Sequence, residues 1–269
     1  MSFTNSNGIK IFWNEAGSGD PLVMIMGLGY SHEMWHRTWP GMARKYRTIV
    51  FDNRGVGQSD VPPGPYQVPQ MAADTAAVMD AAGVERAHVF GVSMGGAIAQ
   101  EFTLTYPHRV RSLILGCTTC GGSNSVAAAP NVLQILLARA TMTPDEGAEA
   151  MVPFIYDAST PRVRIDEDLA IRRRTYPSAA GYLAQVQGIL AWTCYDRLPQ
   201  IKGRTLVIHG ETDQLVPPQN AYILHERIAG SRLVMLPQAS HIFMTDQPEA
   251  SHAALLEFLS SIGHPAASV

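Results

Sequence analysis

The stretch Val89-Phe90-Gly91-Val92-Ser93-Met94-Gly95-Gly96 decides the fold of this chain. Apolar residues lead into a Gly-x-Ser-x-Gly pattern, and a run that favours a helix follows at 97–102. This order predicts a strand, a sharp turn and a helix, in which the glycines leave room for one strained residue at the apex. Ser93 occupies that apex. Its hydroxyl is therefore predicted to stand exposed beside the first N–H groups of a helix, which suit a developing oxyanion.

The composition limits the classes of function that the chain can have. Its 269 residues suffice for one large α/β domain, and its formal net charge of −3 gives no strong attraction to nucleic acid or to an anionic membrane. No apolar run approaches the roughly 18 residues of a spanning helix, and the N-terminus lacks the features of a signal peptide. The odd count of three cysteines predicts reduced thiols and a cytoplasmic location.

Strand and helix patterns alternate along most of the chain. A hairpin is predicted over 2–15, and further strands are predicted at 21–26, 48–51, 110–115, 205–208 and 232–236, with helices at 71–82 and 247–262 and a frayed tail at 263–269. Such alternation predicts a doubly wound, mostly parallel α/β sheet.

One long segment interrupts this alternation. Residues 122–192 show helical periodicity and no convincing strand, with helices predicted at 132–140, 144–155, 166–174 and 179–192. The prediction is therefore a core made of residues 1–121 and 193–269, with a helical cap of residues 122–192.

Two predicted strand ends after residue 200 offer partners for the serine. His209-Gly210-Glu211-Thr212-Asp213 follows one strand, and Gln238-Ala239-Ser240-His241 follows the next. Because the carboxyl ends of parallel strands meet at one crevice, Ser93, Asp213 and His241 can form a nucleophile, acid and base triad. Glu211 is a competing acid, and it ranks lower because Asp213 lies further out in the loop. His209 is expected to pack or to form hydrogen bonds locally.

These motifs together resemble the α/β-hydrolase-fold serine hydrolases over nearly the whole chain. The resemblance also includes Gly27-Leu28-Gly29 and the glycine-rich turn Asp52-Asn53-Arg54-Gly55-Val56-Gly57-Gln58-Ser59. It implies an oxyanion hole formed by the backbone N–H groups of Leu28 and Met94. Members often carry His-Gly where this chain has Met26-Gly27, so the hydrogen bonds inside that loop must differ. The elbow and the run 63–66 are similar both to 3-oxoadipate enol-lactone hydrolases and to small carboxylesterases.

A second motif indicates a different chemistry. His32-Glu33-Met34-Trp35-His36 matches the His-Glu-x-x-His zinc signature, in which two histidines one helical turn apart bind the metal. Pro40 limits any helix there to little more than two turns, and no convincing third ligand stands nearby. We therefore expect no metal site, and a surface helix at this position. The glycine-rich turn lacks the rest of a dinucleotide fingerprint, so no cofactor is expected either.

The predicted cap carries apolar residues and arginines. Leu136, Leu137, Phe154 and Trp192 are predicted to line an acyl pocket. The cap arginines are expected to form surface salt bridges, with the alternative that one of them faces the pocket: Arg162, Arg164, Arg172, Arg173 and Arg174. An apolar pocket of this kind favours neutral esters, since a buried carboxylate without a partner is costly.

The sequence thus predicts a cytoplasmic serine hydrolase that acts on a small-molecule carboxylic ester or lactone through an acyl-enzyme. Nucleic acid and membrane are not expected partners, and the oligomeric state is not indicated. Three alternatives stay open: an enol-lactone hydrolase, a ligand-binding member of the fold without catalysis, and a peroxidation of carboxylic acids by the same triad.

Overall fold

The computed structural model describes residues 1–262, and the tail predicted to fray lies outside them. Its centre is an eight-stranded sheet in the order β1-β2-β4-β3-β5-β6-β7-β8. The strands are β1 Ser2–Ser6, β2 Ile9–Ala16, β3 Pro21–Ile25, β4 Arg47–Phe51, β5 Ala87–Val92, β6 Val110–Gly116, β7 Arg204–Gly210 and β8 Arg232–Leu236.

Only the first part of the sheet is antiparallel. Asn7 and Gly8 both have positive φ, 51° and 89°, which is the conformation of a tight hairpin turn between β1 and β2. The β1–β2 and β2–β4 pairs are antiparallel, and all the other pairs are parallel. The predicted mostly parallel sheet is confirmed.

Apolar residues cover both faces of the sheet. Along β3, Val23 and Ile25 point into one core cluster, and Leu22 and Met24 point into a second cluster on the opposite face. Helices bury each cluster: α2 Val68–Ala81, α3 Met94–Thr105 and α9 Gln219–Arg227 on the first face, and α1 Trp39–Met42 and α11 Pro248–Ser260 on the second. The chain is therefore doubly wound.

Helices make up the segment between β6 and β7. They are α4 Pro130–Ala138, α5 Pro144–Glu149, α6 Val152–Ile155, α7 Arg162–Arg174 and α8 Ala179–Leu190. The remaining short helix, α10 Phe243–Asp246, follows β8 and lies outside this segment. Gly121 and Thr193 form an antiparallel bridge where this segment leaves and rejoins the sheet. The division into a core and a cap of residues 122–192 stays a prediction.

Two helices of the segment 122–192 differ most from the sequence-based expectation. The helix predicted over 144–155 is two helices, because Pro153 has no N–H to continue the hydrogen-bonding of α5. Helix α7 begins at Arg162, earlier than predicted. Between residues 1 and 262, no helix combines the length and the apolar character needed to cross a membrane.

Candidate active site

Ser93 lies at a strained turn between β5 and α3. Its φ of 55° and ψ of −124° are unusual for a residue with a side chain, and the surrounding packing maintains them. A Cβ on Gly91 would overlap the carbonyl oxygen of Gly95, and one on Gly95 would overlap that of Ile25. A Cβ on Gly96 would come within 2.6 Å of the Thr118 hydroxyl. The glycines of the motif are therefore required by close approaches of neighbouring backbone at Gly91 and Gly95 and of the Thr118 side chain at Gly96.

The ends of β7 and β8 bring the other two predicted residues together. Thr212 donates a backbone hydrogen bond of 2.9 Å to the Ala239 carbonyl, which ties the two loops to each other. His241 Nδ1 lies 2.8 Å from Asp213 Oδ2, and both side chains are buried. The other oxygen of Asp213 accepts hydrogen bonds of 2.9 Å from the N–H groups of Leu215 and Val216. The Asp213 carboxyl is thereby fixed and aimed at the imidazole.

The electrostatic surroundings keep this carboxyl ionised. Burial opposes the charged form of Asp213, but the charges and N–H groups of His241 and His209 outweigh burial and lower its pKa to about 2. Glu211, the competing acid, is exposed, and its N–H bonds to the Leu236 carbonyl. The structure therefore brings Asp213, and not Glu211, to His241.

A cavity of about 380 Å³ opens over Ser93 and His241. Leu28 and Met94, whose N–H groups are the predicted oxyanion donors, also line it. Met94 is the first residue of α3, so its N–H has no acceptor within the helix. The loop before Leu28 is close to the serine, since a Cβ on Gly27 would lie 3.0 Å from the Ser93 Cβ. Both predicted donors thus lie at the wall where the serine stands.

Of the four residues predicted to line the pocket, three are not in the wall of this cavity. Leu136 lines it, as expected. Trp192 instead packs in the core on the α3 face of the sheet, where its indole N–H donates to the Glu101 carboxylate at 2.8 Å. Leu137 is 47% exposed, and Phe154 packs against a small cluster that helices of 122–192 form together with Ile242. Helical spacing could not show which face of each helix turns toward the cavity.

Sequence reasoning expected His209 only to pack or to form hydrogen bonds locally, and it gave Arg139 no role. His209, fully buried, has its Nε2 2.8 Å from the Val216 carbonyl oxygen and 3.2 Å from Asp213 Oδ2. Asp213 therefore lies between two imidazoles. Arg139 lines the cavity, although the expectation named five other arginines of the same segment. No sequence signal separates Arg139 from an ordinary surface arginine.

The His-Glu-x-x-His motif forms a 3-10 turn over His32–Trp35. His32 Nδ1 lies 2.8 Å from Asp52 Oδ1, and His36 Nε2 lies 2.8 Å from Asp168 Oδ1. The two histidines thus face carboxylates on different parts of the fold. Among residues 1–262, no group of three or more His, Cys, Asp or Glu side chains is arranged to hold a metal ion.

Chelation tests the role of this motif in catalysis. Because both histidines are engaged with carboxylates away from Ser93, dialysis against EDTA should leave hydrolytic activity unchanged. Glu33→Gln, which alters the glutamate of the motif, should also retain it. Loss of activity on dialysis, with recovery on addition of Zn²⁺, would contradict this expectation.

The loop that carries His241 is held by a second buried carboxylate. Asp246 accepts hydrogen bonds of 2.6 Å from the N–H of Ser240 and from the hydroxyl of Thr160. Burial raises the pKa of Asp246 to about 6, although these hydrogen bonds favour the ionised form. The folded protein therefore holds a proton here at pH values at which an unfolded aspartate has lost it.

This raised pKa predicts a decline in stability with rising pH. Between the ordinary aspartate pKa of 3.8 and about 6, the folded state binds the extra proton, so its free energy of unfolding falls as the pH rises through this interval. Asp246→Asn removes the titration. Its stability relative to the wild type should rise by about 2–3 kcal/mol from pH 4 to pH 7, measured by urea unfolding. Thr160→Val keeps the carboxyl and should keep the decline; a constant difference between Asp246→Asn and wild type would contradict the prediction.

Comparison with known proteins agrees with this architecture. A family model described as "alpha/beta hydrolase fold" matches residues 20–248. The chain is 29% identical to a putative carbamate hydrolase, RutD, of Azorhizobium caulinodans, over 97% of this chain and 99% of that protein. It is 31% identical to a poly(3-hydroxyalkanoate) depolymerase of Ectopseudomonas oleovorans, over 89% and 84% of the two chains.

The fold is also similar to solved structures. An enol-lactonase from Burkholderia xenovorans LB400 superposes with a TM-score of 0.85 at 26% identity, covering 96% of this chain and all of that one (100%). The family match spans most of the chain, and the sheet order and the Ser93 turn agree with it. This chain belongs to the α/β hydrolase fold family.

Proposed function

We propose that the protein is a serine hydrolase that cleaves carboxylic esters or lactones through an acyl-enzyme, with Ser93 as nucleophile, His241 as base and Asp213 as acid. One observation carries the proposal. The His241–Asp213 pair, joined at 2.8 Å, stands at the same cavity as a serine held in a strained turn at a helix N-terminus. A serine hydroxyl needs a base before it can attack, and this base is already oriented by a carboxylate.

The proposed reaction proceeds in two halves. The Nε2 of His241 takes the proton of the Ser93 hydroxyl while Oγ forms a bond to the substrate carbonyl carbon. The N–H groups of Leu28 and Met94 donate hydrogen bonds to the carbonyl oxygen and stabilise the negative charge that develops on it. When the carbon–oxygen bond to the alcohol breaks, His241 returns the proton to the departing oxygen. Water then repeats the sequence on the acyl-enzyme and releases the acid.

The cavity and the names of the relatives support a substrate with an acyl group. Apolar side chains form most of the wall, which suits the carbon chain of an ester. The names of the three similar proteins refer to a carbamate, a polyester and an enol-lactone, each of which has an acyl carbon bound to a leaving oxygen or nitrogen. Esters and lactones are the members of this group that need the least activation of the leaving group.

A substrate panel tests the proposal. We expect turnover of p-nitrophenyl esters from acetate to octanoate, with a maximum at short to medium chains that the cavity of about 380 Å³ can hold. Lactones and a phenyl carbamate are assayed in parallel to rank the leaving groups. Absence of turnover over the whole panel would favour a protein that only binds ligands.

A further inference from the structure

Arg139 is a buried cation in the wall of the catalytic cavity. It follows α4, where it opens a short 3-10 turn, and it is only 3% exposed. Of the cavity-lining residues within the described part of the chain, Arg139 alone carries a permanent charge, and none is an aspartate or glutamate. A charge in such an apolar wall is costly unless something pairs with it.

Within residues 1–262, aromatic rings and not a carboxylate surround the Arg139 guanidinium. Its Cζ lies 5.4 Å from the ring centroid of Tyr30, 4.9 Å from that of Tyr182 and 5.7 Å from that of Tyr176. The hydroxyls of Tyr176 and Tyr182 donate to the backbone carbonyls of Arg139 and Leu136. The rings hold the arginine in place. Its buried Nε has no hydrogen-bond partner within the described part of the chain. The cage thus positions the charge without neutralising it.

A second buried arginine adds to the positive charge at this place. Arg172 of α7 is 2% exposed, and its Cζ lies 5.1 Å from the same Tyr30 ring. Among residues 1–262, none of its three guanidinium nitrogens has a hydrogen-bond partner. The carboxylate one helical turn earlier, Asp168, already accepts from His36, Tyr156 and Thr245 at 2.6 to 3.0 Å. Two guanidinium groups therefore flank one tyrosine of the cavity.

Three other arginines of the segment behave differently. Arg162 pairs with Glu149 and Asp166, Arg173 pairs with Glu149, and Arg174 pairs with Glu33. These pairs satisfy the arginines locally, as the sequence predicted. Among the arginines of residues 122–192, Arg139 and Arg172 are buried and have no such carboxylate partner in the described residues.

We propose that the substrate carries a carboxylate away from the bond that is cleaved, and that Arg139 binds this carboxylate, with Arg172 adding positive charge at the Tyr30 ring. The inference rests on the proposed ester or lactone hydrolysis at Ser93, since Arg139 and Ser93 share one cavity. A guanidinium presents donors that match a planar carboxylate, and such a pair strengthens where water is excluded. A neutral substrate leaves the buried cation unpaired.

This proposal reverses the preference expected from the sequence. Apolar residues of the cap alone favour neutral esters, and they do line much of the cavity. One buried cation in that wall changes the preference, because the carboxylate that is costly in an apolar pocket becomes the partner that Arg139 lacks. The apolar wall then holds the carbon chain between the carboxylate and the ester.

Two matched phenyl esters test the proposal on the wild-type enzyme. Phenyl hydrogen adipate and phenyl hexanoate have acyl chains of equal length and differ by a terminal carboxylate. After subtraction of the spontaneous rates, kcat/KM should be at least tenfold higher for the adipate. Equal values, or a preference for the hexanoate, would overturn the proposal without any variant.

Variants then assign the preference to the residue. Arg139→Met should abolish the adipate preference, and Arg139→Lys, which keeps the charge but not the fork of donors, should retain part of it. Arg162→Met, a surface arginine of the same segment, should leave the ratio unchanged. Circular dichroism checks the fold of each variant. A preference that persists in folded Arg139→Met would overturn the assignment.

A binding measurement separates this proposal from the proposed function. Ser93→Ala cannot form an acyl-enzyme, so calorimetric titration with monomethyl adipate measures the subsite alone. Binding should be at least tenfold weaker when Arg139→Met is added to Ser93→Ala. If neither phenyl ester is turned over but this binding difference is found, the subsite stands and the proposed hydrolysis fails. If turnover is found without the binding difference, the subsite fails and the hydrolysis stands.

Discussion

Replacing Ser93 by alanine is expected to lower kcat for a p-nitrophenyl ester by at least about 10³-fold, on the scale of other triad knockouts. The hydroxyl is the only group at the strained turn that can form the acyl bond, and His241 has nothing to deprotonate without it. Substrate affinity should change little, because the cavity wall is otherwise intact. The rates are measured under steady-state conditions, with the fold checked by thermal unfolding.

Covalent labelling supplies an independent measurement of the same role. A fluorophosphonate probe should label the wild type at Ser93, identified by peptide mass spectrometry, and should not label Ser93→Ala. Ser125→Ala is a matched control, since this serine also lines the cavity but lies outside the turn. Its labelling should match the wild type. A probe that labels Ser93→Ala as strongly as wild type would refute the nucleophile assignment.

Asp213→Asn is expected to lower kcat on the order of 10³- to 10⁴-fold while the protein stays folded, by analogy with the corresponding change in other triads. The asparagine oxygen can still accept the N–H groups of Leu215 and Val216. Its amide, however, would present N–H groups toward His241 Nδ1, which now donates to the carboxylate. The imidazole would then favour the tautomer with the proton on Nε2, and such an imidazole cannot accept the serine proton.

Glu211→Gln is the control for this variant. The side chain is exposed and two residues away, so the change should lower kcat by less than about threefold, as expected for a surface substitution outside the site. Measuring kcat of both variants with the same p-nitrophenyl ester shows which carboxylate is the acid. A large loss in Glu211→Gln together with a small loss in Asp213→Asn would move the acid to Glu211.

Local patterns were enough to predict the sheet and the strained turn at Ser93. The apolar run of β3 is buried on both faces. The eight residues around Ser93 carry the whole pattern of a strand, a sharp turn and a helix. The order of strands and helices then fixed which loops meet at one edge, and the predicted pair of Asp213 and His241 followed from that order. These features depend on residues close in sequence and on the general geometry of parallel sheets.

The wall of the cavity could not be predicted in the same way. Helical spacing selected Leu136, Leu137, Phe154 and Trp192 alike, but only the packing of each helix on its neighbours decides which face meets the cavity. The Trp192 indole donates a hydrogen bond to Glu101, which is 91 residues away in sequence, and the Leu137 side chain is exposed. Such choices depend on contacts between distant segments.

Charge placement was also decided by the tertiary structure. The sequence offers five arginines in the predicted cap as candidates, yet Arg139, outside that group, lines the cavity among three tyrosines from distant positions. The histidines of the zinc-like motif, likewise, face Asp52 and Asp168, which lie 20 and 132 residues further along the chain. The sequence by itself determined the fold and the order of the catalytic candidates, because backbone conformation and apolar periodicity are local. Only the tertiary structure decided which buried charges have partners, because partners are set by distance in space and not along the chain.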